Sequence, residues 1–191
     1  VLDANTTSVT INASAALNAV TDFNADGATT LTLTGAGAID LTGSTDVDLA
    51  ALTTVSGGTA TGAISLLIND AKNQTITTGS GDDVVDMDAT LTSADTIDLG
   101  AGDDTLRVDV DSLSAGTADL SISNVETIRF DAIGTGAGAI NMDNVSVTAI
   151  RFDDATTQAA ADQVITLTDL AATVAAASFI GTGTLDGDVF F

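Results

Sequence analysis

The stretch Gly100-Ala101-Gly102-Asp103-Asp104-Thr105-Leu106-Arg107-Val108-Asp109 joins a glycine-rich turn to a strand-like segment. Residues 79–85 repeat its first half, so both copies read G-x-G-D-D-x-U, with U aliphatic, and they lie 21 residues apart. Glycines at alternate positions allow backbone conformations that are closed to residues with a Cβ. The aliphatic residue, Val85 or Leu106, is expected to point inward from the strand that follows. The two copies therefore predict one structural unit used twice.

The second half of the stretch indicates the period of the repeat. Arginine recurs every 22 residues, at Arg107, Arg129 and Arg151, each time within a segment of the form U-x-U-Asp. The similar segment at residues 85–88 precedes the first of these by 21 residues. A second alternating segment recurs in the same coils as Ile97-Asp98-Leu99, Leu120-Ser121-Ile122 and Ile140-Asn141-Met142. Such alternation is typical of strands buried on one side, so the pattern predicts four successive coils.

Repeats of this length, made of short strands and glycine turns, are typical of a solenoid, in which each coil buries its apolar face against its neighbours. Thr, Val and Ile dominate the segments, which favours strands over helix pairs. We therefore predict an all-β fold, a parallel β-solenoid (β-helix or β-roll) with coils of about 20–22 residues over residues 1–155. Residues 156–191 are predicted to continue it as a terminal coil or to form a short helix near residues 170–177.

The arginines are predicted to form a ladder on the outside of the solenoid. Equivalent residues of stacked parallel strands lie about 4.8 Å apart, so three arginines in register would repel one another. We expect carboxylates such as Asp109, Asp131 and Asp153, or their neighbours, to interleave with them. The ladder is predicted to be structural and not an anion-binding site.

The aspartates of the two glycine turns suggest a calcium site. Calcium prefers six to eight hard oxygen ligands, such as carboxylates and backbone carbonyls. One turn supplies too few oxygens, so two stacked turns within residues 78–107 would complete the site. The alternative is a solvated turn in an aspartate-rich chain. The main predicted ligands are Gly79, Ser80, Gly81, Asp83, Gly100, Ala101, Gly102 and Asp104, and Asp82 and Asp103 are further candidates.

A weaker calcium candidate lies near the start of the chain. Asp22, Asn24 and Asp26 fit D-x-N-x-D-G, the opening of an EF-hand-like loop. The twelfth position of that loop is Leu33, so the acid that closes an EF-hand is missing. The alternative is an ordinary Asx-rich turn leading into a strand.

Composition excludes several classes of function. The 191 residues carry 27 acidic and four basic side chains, for a net charge of −23, so binding to nucleic acid phosphates is not expected. Self-repulsion on this scale disfavours a compact state, and bound divalent cations would relieve it. Histidine and cysteine are absent, which removes the usual general base and most nucleophiles, so we predict that the chain is not an enzyme. No apolar run approaches the roughly 20 residues of a membrane span, so membrane insertion is not expected.

The glycine turns resemble the nonapeptide repeat G-G-x-G-x-D-x-U-x of RTX proteins, a calcium-binding signature. Thr78 and Leu99 stand where the family has its first glycine, and the 21-residue offset is not a multiple of nine. Further phrases look like those of bacterial S-layer proteins and large RTX adhesins, namely Thr10-Ile11-Asn12-Ala13-Ser14-Ala15, residues 73–83 and Ser123-Asn124-Val125-Glu126-Thr127-Ile128.

This resemblance implies type I secretion, a place on the bacterial cell surface, bound Ca²⁺ and self-association into a lattice or fibre. The expected function is a structural, calcium-binding module of a secreted S-layer protein, and the chain, which starts at Val1, is expected to be part of a longer protein. Two alternatives stay open. One is an adhesin segment that binds a glycan, such as a cell-surface polysaccharide, or another surface. The other is a calcium-folding module of a type I-secreted enzyme.

Overall fold

The computed structural model describes residues 5–16, 23–42, 47–70, 72–109, 120–131, 138–154, 163–170, 173–181 and 187–190. Its regular elements there are all strands, and none of the described residues forms a helix that could cross a membrane. The strands are β1 (Ser8–Asn12), β2 (Phe23–Asn24), β3 (Thr30–Gly35), β4 (Ile39–Asp40), β5 (Val47–Asp48), β6 (Thr54–Ala60), β7 (Ile64–Leu67), β8 (Thr75–Thr77), β9 (Val84–Asp86), β10 (Thr96–Asp98), β11 (Thr105–Asp109), β12 (Ser121–Ser123), β13 (Thr127–Asp131), β14 (Gly138–Asn141), β15 (Ala149–Asp154), β16 (Gln163–Thr168), β17 (Ala176–Gly181) and β18 (Gly187–Phe190).

The strands stack into parallel sheets that run along a solenoid. The first sheet has the order β1-β3-β6-β8-β10-β12, and the second has the order β4-β7-β9-β11-β13-β15-β17. Shorter sheets, β2-β5 and β14-β16-β18, lie on a further side. Every pairing between these strands is parallel. The predicted parallel β-solenoid is confirmed.

Alternation along each strand builds the core from in-register columns of aliphatic side chains. One column contains Leu31, Val55, Ile76, Ile97 and Ile122, and the second sheet contributes Leu66, Val85, Leu106, Ile128 and Ile150, all of them buried. Phe130 and Phe152 extend this core as a stacked pair with ring centroids 5.4 Å apart. A narrow coil of this kind therefore fills its interior with branched aliphatic residues and few rings.

The arginine ladder is present as predicted. Arg107, Arg129 and Arg151 are direct partners on β11, β13 and β15. Their carboxylate partners are interleaved between coils: Arg107 bridges Asp86 at 2.9 Å and Asp131 at 2.7 Å, and Arg129 reaches Asp153 at 2.8 Å. Asp131 and Asp153 were predicted to pair with the arginines and do so. Asp86, which was not named in that prediction, forms the third pair. Arg107 and Arg129 thus offset charge on an adjacent coil, whereas Arg151 pairs with Asp153 of its own strand at 3.2 Å.

The register of the second alternating segment differs from the prediction. Ile97 pairs with Ile122 and not with Leu120, and the next residue in that column is Val145, which bridges Ile122. Ile140 lies instead on β14 in the β14-β16-β18 sheet. A shift of two residues leaves the inward and outward pattern unchanged, so alternation alone could not fix this register.

The last part of the chain continues the solenoid in its described residues. β17 pairs with β15, and β16 pairs with β14 and β18. Of the suggested helix near residues 170–177, positions 171 and 172 lie outside the described residues, and Ala176 and Ala177 belong to β17. The alternative of a further coil is therefore the one that fits.

Candidate cation site

The glycine turns stack directly on one another at the corner between the first and second sheets. The Ala101 N–H donates to the Gly79 carbonyl at 2.9 Å, and the Ser80 N–H donates to the Ala60 carbonyl at 3.1 Å. A Cβ on Gly79 would lie 1.9 Å from the Ala60 oxygen, and one on Gly100 would lie 2.1 Å from the Gly79 oxygen. Gly100 also has a φ of +87°. These glycines are required because the backbones of successive coils approach so closely.

Asp83 and Asp104 point into the solenoid from these turns, and neither side chain is exposed. Each lies two residues before an inward aliphatic residue, Val85 or Leu106, so strand alternation turns the carboxylates inward as well. Asp83 Oδ1 accepts the Ile64 N–H at 2.7 Å, and its Oδ2 accepts the Gly79 N–H at 3.2 Å. The predicted stacking of Asp83 and Asp104 one coil apart is present.

The stacking produces a ladder in which each acid accepts the backbone N–H of the preceding coil. The Asp83 N–H donates to Asp104 Oδ1 at 2.7 Å, and the Asp104 N–H donates to Glu126 Oε2 at 2.8 Å. Glu126, the only glutamate in the chain, was not among the predicted site residues. The 22-residue step from Asp104 could have identified it. We call Asp83, Asp104 and Glu126 the acid ladder.

Among the described residues, no cationic side chain forms an ion pair with the acid ladder. The pKa of Asp104 is raised from 3.8 to about 6, chiefly by burial. The hydrogen bond from the Asp83 N–H opposes this shift, and the carboxylates of Asp83, Glu126 and Asp82 contribute to it. Burial also raises the pKa of Asp83, although hydrogen bonds from Ile64, Thr78 and Gly79 oppose the shift. Asp104 Oδ2 is buried and has no hydrogen-bond partner among the described residues. One anionic oxygen in the core of the ladder is therefore left uncompensated.

The other predicted ligands lie around this column with different exposure. Asp82 and Asp103 are exposed on the outside of the turns, where the Asp103 N–H donates to Asp82 Oδ1 at 3.0 Å. Ser80 and Ala101 are exposed as well. A Cβ on Gly81 would lie 2.6 Å from the Ala63 nitrogen, and one on Gly102 would lie 2.3 Å from the Gly81 oxygen. The stacked turns bring the ten predicted residues of this site together.

The weaker candidate near the start of the chain is only partly described. Asp22 lies outside the described residues, Asn24 belongs to β2, and Asp26 is exposed in the turn that follows. The Ala28 N–H donates to the Ala25 carbonyl at 2.8 Å, closing that turn. This contact fits the Asx-rich turn that leads into β3.

A second buried acid, which the sequence reasoning also missed, lies at another corner of the same coils. Asp95 is 2% exposed, and its carboxylate accepts the Gln74 N–H at 2.6 Å and the Thr92 N–H at 2.7 Å. Both Asp95 oxygens are thus satisfied by backbone donors, as a structural role requires. Asp95 therefore links two coils with both of its oxygens hydrogen-bonded, whereas only one oxygen of Asp104 is.

The donor chemistry of the acid ladder fits a hard cation in one respect. An anionic, buried oxygen without a partner is the ligand type that calcium prefers. The remaining oxygens of Asp83 and the paired oxygen of Asp104 accept backbone N–H groups, and in the described ranges no three acids are grouped closely enough to hold a metal on their own. A cation there would need backbone carbonyls of the turns beside Asp104.

No family model, curated protein or solved structure matches this chain.

The raised pKa of Asp104 predicts a particular pH dependence of stability. Below about pH 4 this carboxyl is protonated in both states, and between about 4 and 6 only the folded state keeps the proton. Its contribution to stability is therefore full at low pH and is lost as pH rises through about 6. With a chelator present, the free energy of unfolding should fall less for Asp104→Asn than for the wild type as the pH rises from 4 to 6.5. Urea denaturation at each pH measures this difference. Asp103→Asn, at an exposed position of the same turn, is the control and should follow the wild type. Parallel pH profiles for all three proteins would contradict the prediction.

Proposed function

We propose that this chain is a structural, calcium-binding module of a secreted bacterial surface protein of the S-layer type, which forms or stiffens a surface lattice. The observation that carries the proposal is the partnerless, buried Oδ2 of Asp104 within a column of acids at two stacked glycine turns. Bound calcium would supply positive charge to this column. Asp104 and the backbone carbonyls of the turns at residues 79–81 and 100–102 are the proposed ligands, with Asp83, Asp82 and Asp103 around them.

The residues of the site act by joining coils. Each acid of the ladder ties its own coil to the preceding one through a backbone N–H. The glycines allow the turns to approach closely enough for those hydrogen bonds. A cation at Asp104 would link the same turns and remove the repulsion between neighbouring carboxylates. The proposed role is therefore mechanical, because a column that fastens coils resists bending and unwinding.

The high negative charge of the chain favours a location with a high calcium concentration. A net charge of −23 on 191 residues opposes both folding and the approach of two copies. Weak calcium sites are filled at the millimolar concentrations found outside cells. Secretion, location on the cell surface and association through calcium are parts of the same proposal. In this view, calcium ions between copies reduce the repulsion that otherwise keeps them apart.

The calcium proposal is tested by comparing thermal unfolding in millimolar calcium and in EDTA. Calcium at about 100 times its dissociation constant would add roughly 2.7 kcal/mol to the free energy of unfolding. We expect Asp104→Asn to lose most of this gain, whereas Asp143→Asn, an exposed position away from the turns, should keep it. Magnesium should stabilise less, because it demands stricter octahedral geometry. Identical unfolding of the wild type in calcium and in EDTA would refute the calcium site.

Lattice formation needs a separate observation. Electron microscopy of the chain after addition of calcium should show ordered two-dimensional sheets that dissolve in EDTA. If the protein binds calcium but stays monomeric, the calcium site is supported and the lattice is contradicted. Retention of that monomer on cell-surface polysaccharide would then favour the adhesin role.

A further inference from the structure

The outward face of the first sheet carries two parallel columns of small hydroxyl side chains. We call this surface the hydroxyl face. The backbone register places these residues opposite one another across six strands without a break. All of them are exposed or half-buried. The first column is Ser8, Thr30, Thr54, Thr75, Thr96 and Ser121, and the second is Thr10, Thr32, Ser56, Thr77, Asp98 and Ser123.

The hydroxyl face is a regular grid fixed by the backbone. Neighbouring strands lie about 4.8 Å apart, and outward residues on one strand lie about 6.7 Å apart. Some hydroxyls are also held in place, since Thr77 donates to the Val55 carbonyl and Ser123 donates to the Ile97 carbonyl, both at 3.3 Å. Each of these hydroxyl oxygens keeps lone pairs that can accept further hydrogen bonds. The face therefore offers hydroxyls and methyls at repeating intervals in two directions.

The hydroxyl face is almost free of charge, although the chain is strongly acidic. Asp98 is the single ionised residue among its twelve positions. The outward face of the second sheet is different, because the arginine ladder and its carboxylates cover it. The outward face of the first sheet is therefore nearly uncharged, whereas that of the second sheet carries ion pairs. A neutral, polar and non-ionic partner fits the hydroxyl face best.

Size and composition argue against a protein or a sugar as that partner. The grid covers on the order of 300 Å² from its strand and residue spacings, whereas a stable protein interface needs about 800 Å² on each side. It also has none of the Trp, Tyr or Arg anchors that dominate protein interfaces. Tryptophan and tyrosine, which stack on sugar rings, are absent from the chain. A partner whose own groups repeat at short intervals can instead use every position of the grid.

We propose that the hydroxyl face binds ice. The surface of ice is neutral and presents water oxygens in a two-dimensional repeat. Threonine hydroxyls can hydrogen-bond to ordered water, while the methyl groups between them restrict the water that fills the gaps. Because the sheet fixes the grid before binding, little ordering of the protein is needed on contact. This inference is independent of the calcium site and of lattice formation.

The test is partition of the purified chain into slowly growing ice, together with inhibition of ice recrystallisation. We expect the wild type to enter the ice fraction and to keep ice crystals small. Thr75→Tyr, at the centre of the first column, should require about tenfold more protein for the same inhibition, equivalent to roughly 1.4 kcal/mol. Thr105→Tyr, on the outward face of the second sheet, is the matched control and should behave as the wild type. Circular dichroism verifies that both variants are folded.

Asp98→Asn gives a second, opposite prediction, because it removes the charge from the second column while its Oδ1 can still accept the Gly100 N–H and the Asn124 amide. This variant should inhibit recrystallisation at lower concentration than the wild type. Exclusion of the wild type from ice would overturn the proposal, as would equal activity of Thr75→Tyr and Thr105→Tyr. Two other results would overturn ice binding and assign the hydroxyl face a different partner. One is a dimer in sedimentation that Thr75→Tyr abolishes, and the other is retention on a crystalline polysaccharide that the same variant abolishes.

Discussion

Replacing Gly79 by alanine is expected to lower the free energy of unfolding by about 3 to 5 kcal/mol, at the upper end of single substitutions. The new Cβ would lie 1.9 Å from the Ala60 oxygen, 2.8 Å from the Ala60 carbonyl carbon and 3.0 Å from the Gly57 oxygen. These are backbone atoms, which cannot turn aside as a flexible side chain would. The coils must therefore separate at the corner that carries the acid ladder. Urea denaturation followed by circular dichroism measures the loss.

Gly58→Ala is the matched control for this prediction. A Cβ there would meet only the Thr78 oxygen, at 3.8 Å, which is an ordinary contact. A glycine-to-alanine change at a compatible position is expected to be neutral or to stabilise by up to about 1 kcal/mol through the unfolded state. If both variants unfold at the same urea concentration, close stacking of the turns is not what demands glycine at residue 79.

Phe130→Ala is expected to destabilise the protein by a similar amount, about 3 to 5 kcal/mol. Phe130 and Phe152 are each 1% exposed, and their rings stack with centroids 5.4 Å apart. Truncation removes the stacked ring contact between β13 and β15 and leaves a cavity, because the aliphatic residues around it are fixed by their own strands. The same denaturation measurement applies.

Two further variants separate ring stacking from simple loss of volume. Phe130→Leu keeps most of the volume and should cost clearly less than the alanine variant. A double-mutant cycle with Phe152→Leu should show a coupling of about 0.5 to 1.5 kcal/mol for the aromatic pair. A coupling near zero would mean that the two rings only fill space.

The arginine repeat shows how far sequence can define this fold. Three arginines at intervals of 22 residues, each followed by an apolar residue and an aspartate, predicted the pairing of β11, β13 and β15. The prediction succeeded because a charged residue at a fixed position marks one register and no other. In the first sheet, the apolar and polar residues only alternate. Leu120 and Ile122 fit that alternation equally well, and the backbone hydrogen bonds selected Ile122 as the partner of Ile97.

The candidate cation site, like the fold, was only partly predictable from the sequence. Spacing and glycine content, which can be read from the sequence, were enough to predict that the turns at residues 79 and 100 stack and that Asp83 and Asp104 lie one coil apart. The folded structure was needed to show that Glu126 continues the ladder, that Asp83 is satisfied by backbone donors and that Asp104 Oδ2 has no donor among the described residues. The physical reason is that a carboxylate's charge state and partners depend on which N–H groups neighbouring coils bring within about 3 Å of it. That distance is set by how the coils pack, and no interval along the sequence contains it.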